Sequence, residues 1–226
     1  MATSSAALAT PRRLEDPLAY LTCSSVLEYK KDQVIYGPDQ PSMSLYLIVG
    51  GKVKIQRIKD HWGDVLVDIY CTDEFFGDSA LVGSPDINEK AVALEDKTTV
   101  MVWTGEVVED FMMRRPRLGI ALVQMLTQRC VHFSRRIESF ASDNIERRLA
   151  RTLIHFSERL GRAMEDGSLE MMPLTHELLS QYVGTSREIV TYYMNRFRKH
   201  GYVRYSRKAI VLYPDAIRNS LRTTPA

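Results

Sequence analysis

The chain has 226 residues, 45% hydrophobic and 26% charged, with a formal net charge of +2. That is the balance of an ordinary globular chain with room for one large domain or two small ones, which excludes wholesale disorder and a fibrous repeat. No run of about 18 apolar residues occurs, so no membrane-spanning helix is expected. Three scattered cysteines, Cys23, Cys71 and Cys130, exclude a disulfide framework and point to a reduced, cytoplasmic protein.

The first residues, Met1 to Thr10, are rich in Ala, Ser and Thr and lack both a basic start and a sustained apolar stretch. Residues 1–17 therefore read as a flexible tail and not as a signal peptide. Residues 18–115 read as a β-barrel domain. Short β-rich runs recur at Val34-Ile35-Tyr36, Leu45 to Val49, Val53 to Gln56, Val65 to Tyr70 and Val100 to Trp103. Turn signals separate them, among them Gly37-Pro38, Gly50-Gly51, Trp62-Gly63-Asp64 and Gly83-Ser84-Pro85. Many short strands at regular spacing predict a sandwich or jelly roll.

Residues 116–141 predict one long helix, with Pro116 at a first helical position where its missing N–H costs nothing. Its apolar positions Val123, Leu126, Cys130, Phe133, Ile137 and Phe140 are spaced 3, 4, 3, 4, 3. This is the seam of a coiled coil, and it points to a parallel homodimer; the other use for such a stripe is packing on the chain's own barrel. At the seam Cys130 would face its symmetry mate, as a redox crosslink or simply as a small buried hydrophobe. Ser142-Asp143-Asn144 then offers capping residues, and Asn144 to Leu160 follows a helical pattern stopped at Gly161. Residues 142–226 form the last predicted domain.

In that domain Thr175 is a plausible N-cap for a short helix over Glu177 to Val183. Gly184 breaks it, Ser186 caps a second helix from Arg187 to about His200, and Gly201 ends that one. This is a helix-turn-helix. The second helix offers Arg187, Glu188, Thr191, Tyr192, Asn195 and Arg196 to a partner, with Lys199 beyond them. Arg suits a bidentate contact to guanine and Glu accepts from cytosine. Two short runs, Tyr202 to Tyr205 and Ile210 to Tyr213, predict a hairpin wing whose tip carries Arg207 and Lys208, suited to phosphates. Charge agrees: residues 1–142 carry 16 basic against 19 acidic residues, residues 143–226 carry 14 against 9. Between Thr185 and Lys208 there are seven basic residues and one acid, Glu188. A basic block on a near-neutral protein suggests a polyanion partner.

Barrel, long helix and winged helix-turn-helix, in that order, resemble the catabolite-activator and fumarate-nitrate-regulator family of bacterial transcription factors. The most specific stretch is Leu174-Thr-His-Glu-Leu-Leu-Ser-Gln-Tyr-Val-Gly-Thr-Ser-Arg-Glu-Ile-Val190. Tyr46-Leu-Ile-Val-Gly-Gly-Lys-Val-Lys-Ile55 is similar to the family's barrel hairpin, and Phe75-Phe-Gly-Asp-Ser-Ala-Leu81 to the entry of its phosphate cassette. The resemblance implies an α+β chain: a cyclic-nucleotide-binding-like β jelly roll, a dimerisation helix and a C-terminal winged helix. It implies double-stranded DNA with a pseudo-palindromic site as partner, a homodimer, contact with RNA polymerase, and no membrane. By position, Arg187 and Glu188 would read bases, Ser186 would touch phosphate and Thr175 would anchor the first helix. Tyr192 stands where the cyclic-AMP receptor has a second base-reading Arg, so the half-site should differ there.

The effector positions depart from the family pattern. Cyclic-AMP binders present Gly-Glu and, across the cassette, Arg-Ser. Here Gly77-Asp78, followed by Ser79, would stand for the first, and Lys90-Ala91 or Ile87-Asn88 for the second, depending on register. Lys is no substitute for a bidentate guanidinium on a phosphate. The polar pair that reads adenine appears as Phe133-Ser134. Cyclic AMP is therefore not the expected effector; a cyclic dinucleotide, another metabolite, or no ligand stays open. Three cysteines cannot ligate an iron-sulfur cluster. His61 and His132 read as surface or boundary histidines and not as haem or metal ligands, and His155, His176 and His200 fall in the helical half. No cofactor is expected, and no catalytic motif marks an enzyme. The alternative function is a small-molecule-binding or protein-interaction module whose winged helix does not read DNA.

Overall fold

Ser44–Gly50 (SLYLIVG) is apolar on both faces, a pattern that predicts a strand buried on two sides, and the computed structural model explains why. The structure describes residues 14–22, 24–59, 63–84 and 86–223. The tail before Leu14, Cys23, His61, Trp62 and Pro85 lie outside the described residues.

Eight strands build the barrel: β1 (Ser25–Tyr29), β2 (Val34–Tyr36), β3 (Ser44–Gly50), β4 (Lys52–Arg57), β5 (Val65–Cys71), β6 (Phe75–Phe76), β7 (Glu89–Ala93) and β8 (Thr98–Thr104). They form two antiparallel four-stranded sheets, ordered β1-β8-β3-β6 and β2-β7-β4-β5. The chain crosses from one sheet to the other at Gly51, whose φ is +87° and where a Cβ would meet the Thr98 hydroxyl at 2.6 Å. Between the sheets lie Ile35, Tyr36, Tyr46, Ile48, Val53, Ile55, Tyr70, Phe76, Ala91 and Val100. Leu45 and Leu47, on the other face of β3, pack with Phe75, Trp103, Val108, Leu118 and Leu122.

The last two of these belong to the long helix. After β8 come α1 (Gly105–Arg114), capped by the Thr104 hydroxyl, and α2 (Pro116–Ser142). α2 buries Leu118, Ala121 and Leu122 at its start. Farther along, the predicted seam residues do not share one environment. Val123 and Ile137 are 63% and 69% exposed, and Cys130 is exposed. Leu126 and Phe133 are half-buried within the chain. Phe140 faces Gly184, where a Cβ would come within 2.8 Å of its ring, and Arg136 and Arg148 lie over it at 5.7 and 4.9 Å. The outward row is therefore Val123, Cys130 and Ile137, extended by Ile120.

α3 (Ile145–Leu160) starts at Asn144, whose side chain accepts from Arg147 N at 3.0 Å. Gly161 ends it, as predicted, but not by a left-handed turn. Its φ is −98°, and glycine is needed because a Cβ would sit 2.2 Å from Ser157 O. Then follow β9 (Arg162–Ala163), β10 (Leu169–Met171), α4 (His176–Val183), α5 (Arg187–Lys199), β11 (Val203–Tyr205), β12 (Ile210–Leu212) and α6 (Pro214–Thr223). The wing hairpin is half of a four-stranded sheet ordered β11-β12-β10-β9.

Barrel and winged helix do not keep separate cores. Leu66 and Ile69 of β5, both fully buried, belong to one cluster with Leu149, Leu153, Phe156, Leu179 and Val183. The consequence is testable: Ile69→Ala, a barrel substitution, should cost about 2–5 kcal/mol. In urea unfolding it should lower the midpoints of the helical circular-dichroism transition and the tryptophan fluorescence transition together; a fluorescence transition that shifts while the helical one stays in place would contradict a shared core.

Candidate nucleic-acid interface and barrel pocket

Local capping sets the two helices of the helix-turn-helix. The Thr175 hydroxyl accepts from Leu178 N at 3.0 Å and the Ser186 hydroxyl from Ile189 N at 3.3 Å, each satisfying a free N–H at a helix start. Gly184, at φ +72°, makes the turn between them. Leu178, Leu179, Val183, Val190, Met194 and Phe197 are buried between the helices and the rest of the domain.

That burial fixes which side chains of α5 face out. Arg187, Glu188, Tyr192, Asn195, Arg196 and Lys199 are exposed, and so are Arg207 and Lys208 at the tip of the wing. Tyr192 is 62% exposed and leans edge-on against Tyr193, with ring centroids 5.1 Å apart. Glu188 accepts from its own backbone N–H and from Ser186, which hold its carboxyl below the usual range. Thr191 is turned inward: its hydroxyl donates to Arg187 O at 2.9 Å and lies 2.8 Å from His176 Nδ1. Asn195 Oδ1 accepts from the Tyr205 hydroxyl at 2.9 Å, tying α5 to the wing. Arg196 pairs with Glu146 of α3 at 3.1 Å. The wing turn is built on Ser206, whose hydroxyl accepts from the N–H groups of Lys208 and Ala209.

The predicted effector residues are spread over the 3-10 turn after β6, strand β7 and helix α2. Gly77 sits at φ +82°, and a Cβ there would strike Ser44 O at 2.4 Å and the Tyr46 ring at 2.9 Å, so backbone and space both require glycine. Asp78 opens a 3-10 turn, Asp78–Val82, that carries Ser79, and it is ion-paired with Arg129 of α2. Arg129 also donates to Phe75 O and lies 4.8 Å from the Tyr70 ring centroid. Lys90 and Ala91 are on β7; Ala91 is fully buried, and the Lys90 chain runs past Gly37. Ile87 is 61% exposed. Ser134 is exposed and bonds Cys130 O within its own helix.

Aromatic rings occupy the barrel interior instead. Tyr46 and Phe76 stack at 4.8 Å and 14°, with Tyr36 at 5.5 and 6.1 Å from them. The Tyr36 hydroxyl donates to Glu89 at 2.6 Å. Burial raises both Tyr36 and Glu89 above their ordinary pKa values. A cavity of about 440 Å³ lies where the barrel meets α2 and α3, lined by Asp68, Tyr70, Glu74, Gln128, Arg129, His132, Phe133, His155 and Arg159 among others. Of the predicted effector residues only Phe133 reaches it.

The residues that sequence reasoning missed are the long-range ones. Arg159 of α3 reaches Asp68 and Glu74 of the barrel at 2.8–2.9 Å, and Arg136 of α2 donates to Leu66 O, Val67 O and Tyr182 O at 2.7–2.9 Å. One signal was available: Asp68 interrupts the apolar run Val65 to Tyr70, and a buried carboxylate requires a partner.

Comparison with known proteins places both halves. Residues 26–115 match the model of the cyclic nucleotide-binding domain, and residues 147–219 that of the Crp-like helix-turn-helix domain. The chain is 23% identical over 187 residues to the CRP-like cAMP-activated global transcriptional regulator of Mycobacterium tuberculosis, covering 82% of this chain and 83% of that one. It is 28% identical over 174 residues to the transcriptional regulator SdrP of Thermus thermophilus, covering 76% and 81%. A solved transcriptional regulator of the CRP/FNR family, also from Thermus thermophilus, superposes with a TM-score of 0.70 at 25% identity, over 89% of this chain and 100% of that one. The chain belongs to the catabolite-activator and fumarate-nitrate-regulator (CRP/FNR) family, as a transcription regulator with a helix-turn-helix DNA-binding domain and not as an enzyme.

Proposed function

We propose that this regulator works as a homodimer that reads a pseudo-palindromic DNA site with α5 and grips its backbone with the wing, and that cyclic AMP does not gate it. The observation that carries this reading is the exposed surface shared by α5 and the wing: Arg187, Glu188, Tyr192, Asn195 and Lys199 on the helix, Arg207 and Lys208 on the tip. Arg187 and Glu188, in the first turn of α5, read base edges. Thr175 already accepts a backbone N–H, so its hydroxyl keeps its proton to donate to a phosphate oxygen; Ser186 donates to Glu188 and can turn to a phosphate only by giving up that bond. Thr191 and Asn195 position the helix, Thr191 through His176 and Asn195 through Tyr205. Arg196 reaches phosphate only if its pair with Glu146 opens.

The exposed apolar row Ile120, Val123, Cys130 and Ile137 supports the homodimer, since isolated in water it would leave a long hydrophobic stripe uncovered. A two-fold axis along α2 sets the recognition helices about one DNA turn apart, roughly 34–36 Å. The filled barrel supports the effector part: Tyr36, Tyr46 and Phe76 stack inside it, and Asp78 is neutralised by Arg129 of the same chain.

Selection of random-core duplexes by the apo chain tests the whole reading. A palindrome should emerge without added nucleotide; recovery only in the presence of cyclic AMP would overturn the effector part, and recovery of no sequence under any condition would overturn sequence-specific DNA reading. On the selected site Arg187→Ala should cost about 1–3 kcal/mol and relax preference at one base pair. Lys208→Ala should weaken all sequences alike and lower the salt slope by about one. Ile137→Arg should give a monomer in sedimentation velocity; an intact dimer would place the interface elsewhere. Arg129→Gln leaves Asp78 without its partner. Because Asp78 is a third exposed, the loss in urea unfolding should be about 1–3 kcal/mol, less than for a fully buried pair.

A further inference from the structure

Asp68, His132 and His155 come from three parts of the chain: β5 of the barrel, the long helix α2, and α3 of the winged-helix domain. One donor atom from each lies within 4.8 Å of the other two. The two imidazole rings stack, 4.4 Å between centroids and 21° between planes. We propose that these three side chains are the ligands of one first-row divalent metal ion of the Zn2+ type, and that Arg159 fills the same seat when no ion is bound.

The hydrogen bonds of Arg159 carry the second half of the proposal. Its Nη1 donates to both Asp68 oxygens at 2.9 Å and lies 3.1 Å from His155 Nε2. A guanidinium only donates, so His155 accepts through Nε2 and carries its ring proton on Nδ1. The lone pairs that now hold a cationic N–H are the ones a metal would use. Arg159 need not leave the junction to release them. Its Nη2 is held separately by both Glu74 oxygens, at 2.8 and 2.9 Å, and by Ile69 O at 3.1 Å.

The donor set suits a borderline metal. Two imidazoles and one carboxylate, with water completing a tetrahedron, match the ligand chemistry of Zn2+ better than that of Ca2+ or Mg2+, which prefer oxygen throughout. Burial keeps both rings in the ligating neutral form: it pulls His155 down to about 3 and His132 below its ordinary value. Zn–N bonds of about 2.0–2.1 Å put ligand atoms about 3.3 Å apart in a tetrahedron. Closing the triad therefore needs inward movement of about 1.5 Å at most. His132 Nε2 is free to make it, since its contact to the Tyr182 hydroxyl is a long one of 3.3 Å. An ion held there would bind barrel, long helix and DNA-binding domain to one another directly, and so favour the arrangement in which they are docked.

Titration of the tag-free, chelator-stripped chain with Co2+ tests this without reference to DNA. One Co2+ per chain should bind with the intense visible absorption of a tetrahedral site, and Zn2+ should bleach it. His132→Gln should weaken binding about 10-fold or more, and Arg159→Met, which vacates the seat, should tighten it about 10-fold. Asp68→Asn leaves Arg159 with Glu74 as its one remaining carboxylate and its Nη1 still in the seat, so the carboxylate is tested in Asp68→Asn with Arg159→Met, confirmed as folded by circular dichroism; this double variant should lose the site that Arg159→Met retains. No stoichiometric Co2+ uptake, or uptake unaltered by His132→Gln, would overturn the site. Affinity unaltered or lowered in Arg159→Met would overturn the shared seat.

Discussion

A guanidinium withdrawn from water has to find anions, and Arg159 finds them on a different domain. Burial works against its charge, yet Asp68 and Glu74 more than offset this and hold it protonated above its ordinary range. Asp68 is 6% exposed and has little water to turn to if the pair breaks. Removing one partner of such a pair typically costs about 3–5 kcal/mol, because the other charge stays buried. The position of α3 against the barrel is thereby fixed by charge as well as by the apolar contact of Leu66 and Ile69.

The same junction solves a problem of the barrel. β5 is the edge strand of its sheet, and an edge exposes unpaired backbone groups. Arg136 and Arg159 cover it, donating to the carbonyls of Leu66, Val67 and Ile69. Arg136 also caps Tyr182 O at the end of α4 and lies 3.9 Å over the Tyr182 ring. One edge strand thus seats both the long helix and the helix-turn-helix. A change in the long helix and a change in the orientation of the DNA-binding domain act on the same few carbonyls, which is a physical route by which either can bias the other.

Inside the barrel the constraint is steric. The stack of Tyr36, Tyr46 and Phe76 fills the space between the sheets, Gly77 is pressed against Ser44 and the Tyr46 ring, and Arg129 brings its own cation to Asp78. A cavity of about 440 Å³ lies at the junction, between Tyr70, Phe133 and the Arg159 cluster. A ligand there would touch the domain contacts directly.

What the sequence determined by itself is whatever local rules decide. Thr175, Gly184, Ser186 and Gly201 mark the helix-turn-helix because capping bonds and left-handed turns involve residues three or four apart, and five barrel strands showed through their β-branched runs. Strands β1, β6 and β7 and helices α1 and α6 were not legible: β1 is almost wholly exposed and lacks alternation, β6 has two residues, and β7 resembled a ligand cassette. The 3, 4, 3, 4, 3 spacing on α2 marked a long apolar-striped helix but not its outward row, since Leu126 and Phe133 are half-buried and Phe140 packs on Gly184. Only the tertiary structure decided the effector positions and the junction. Arg129 meets Asp78 across 51 residues, and Arg159 meets Asp68 across 91. Pairings at such separations leave no period in the sequence, because the strand order and the docking of α3, not the local chain, bring the charges together.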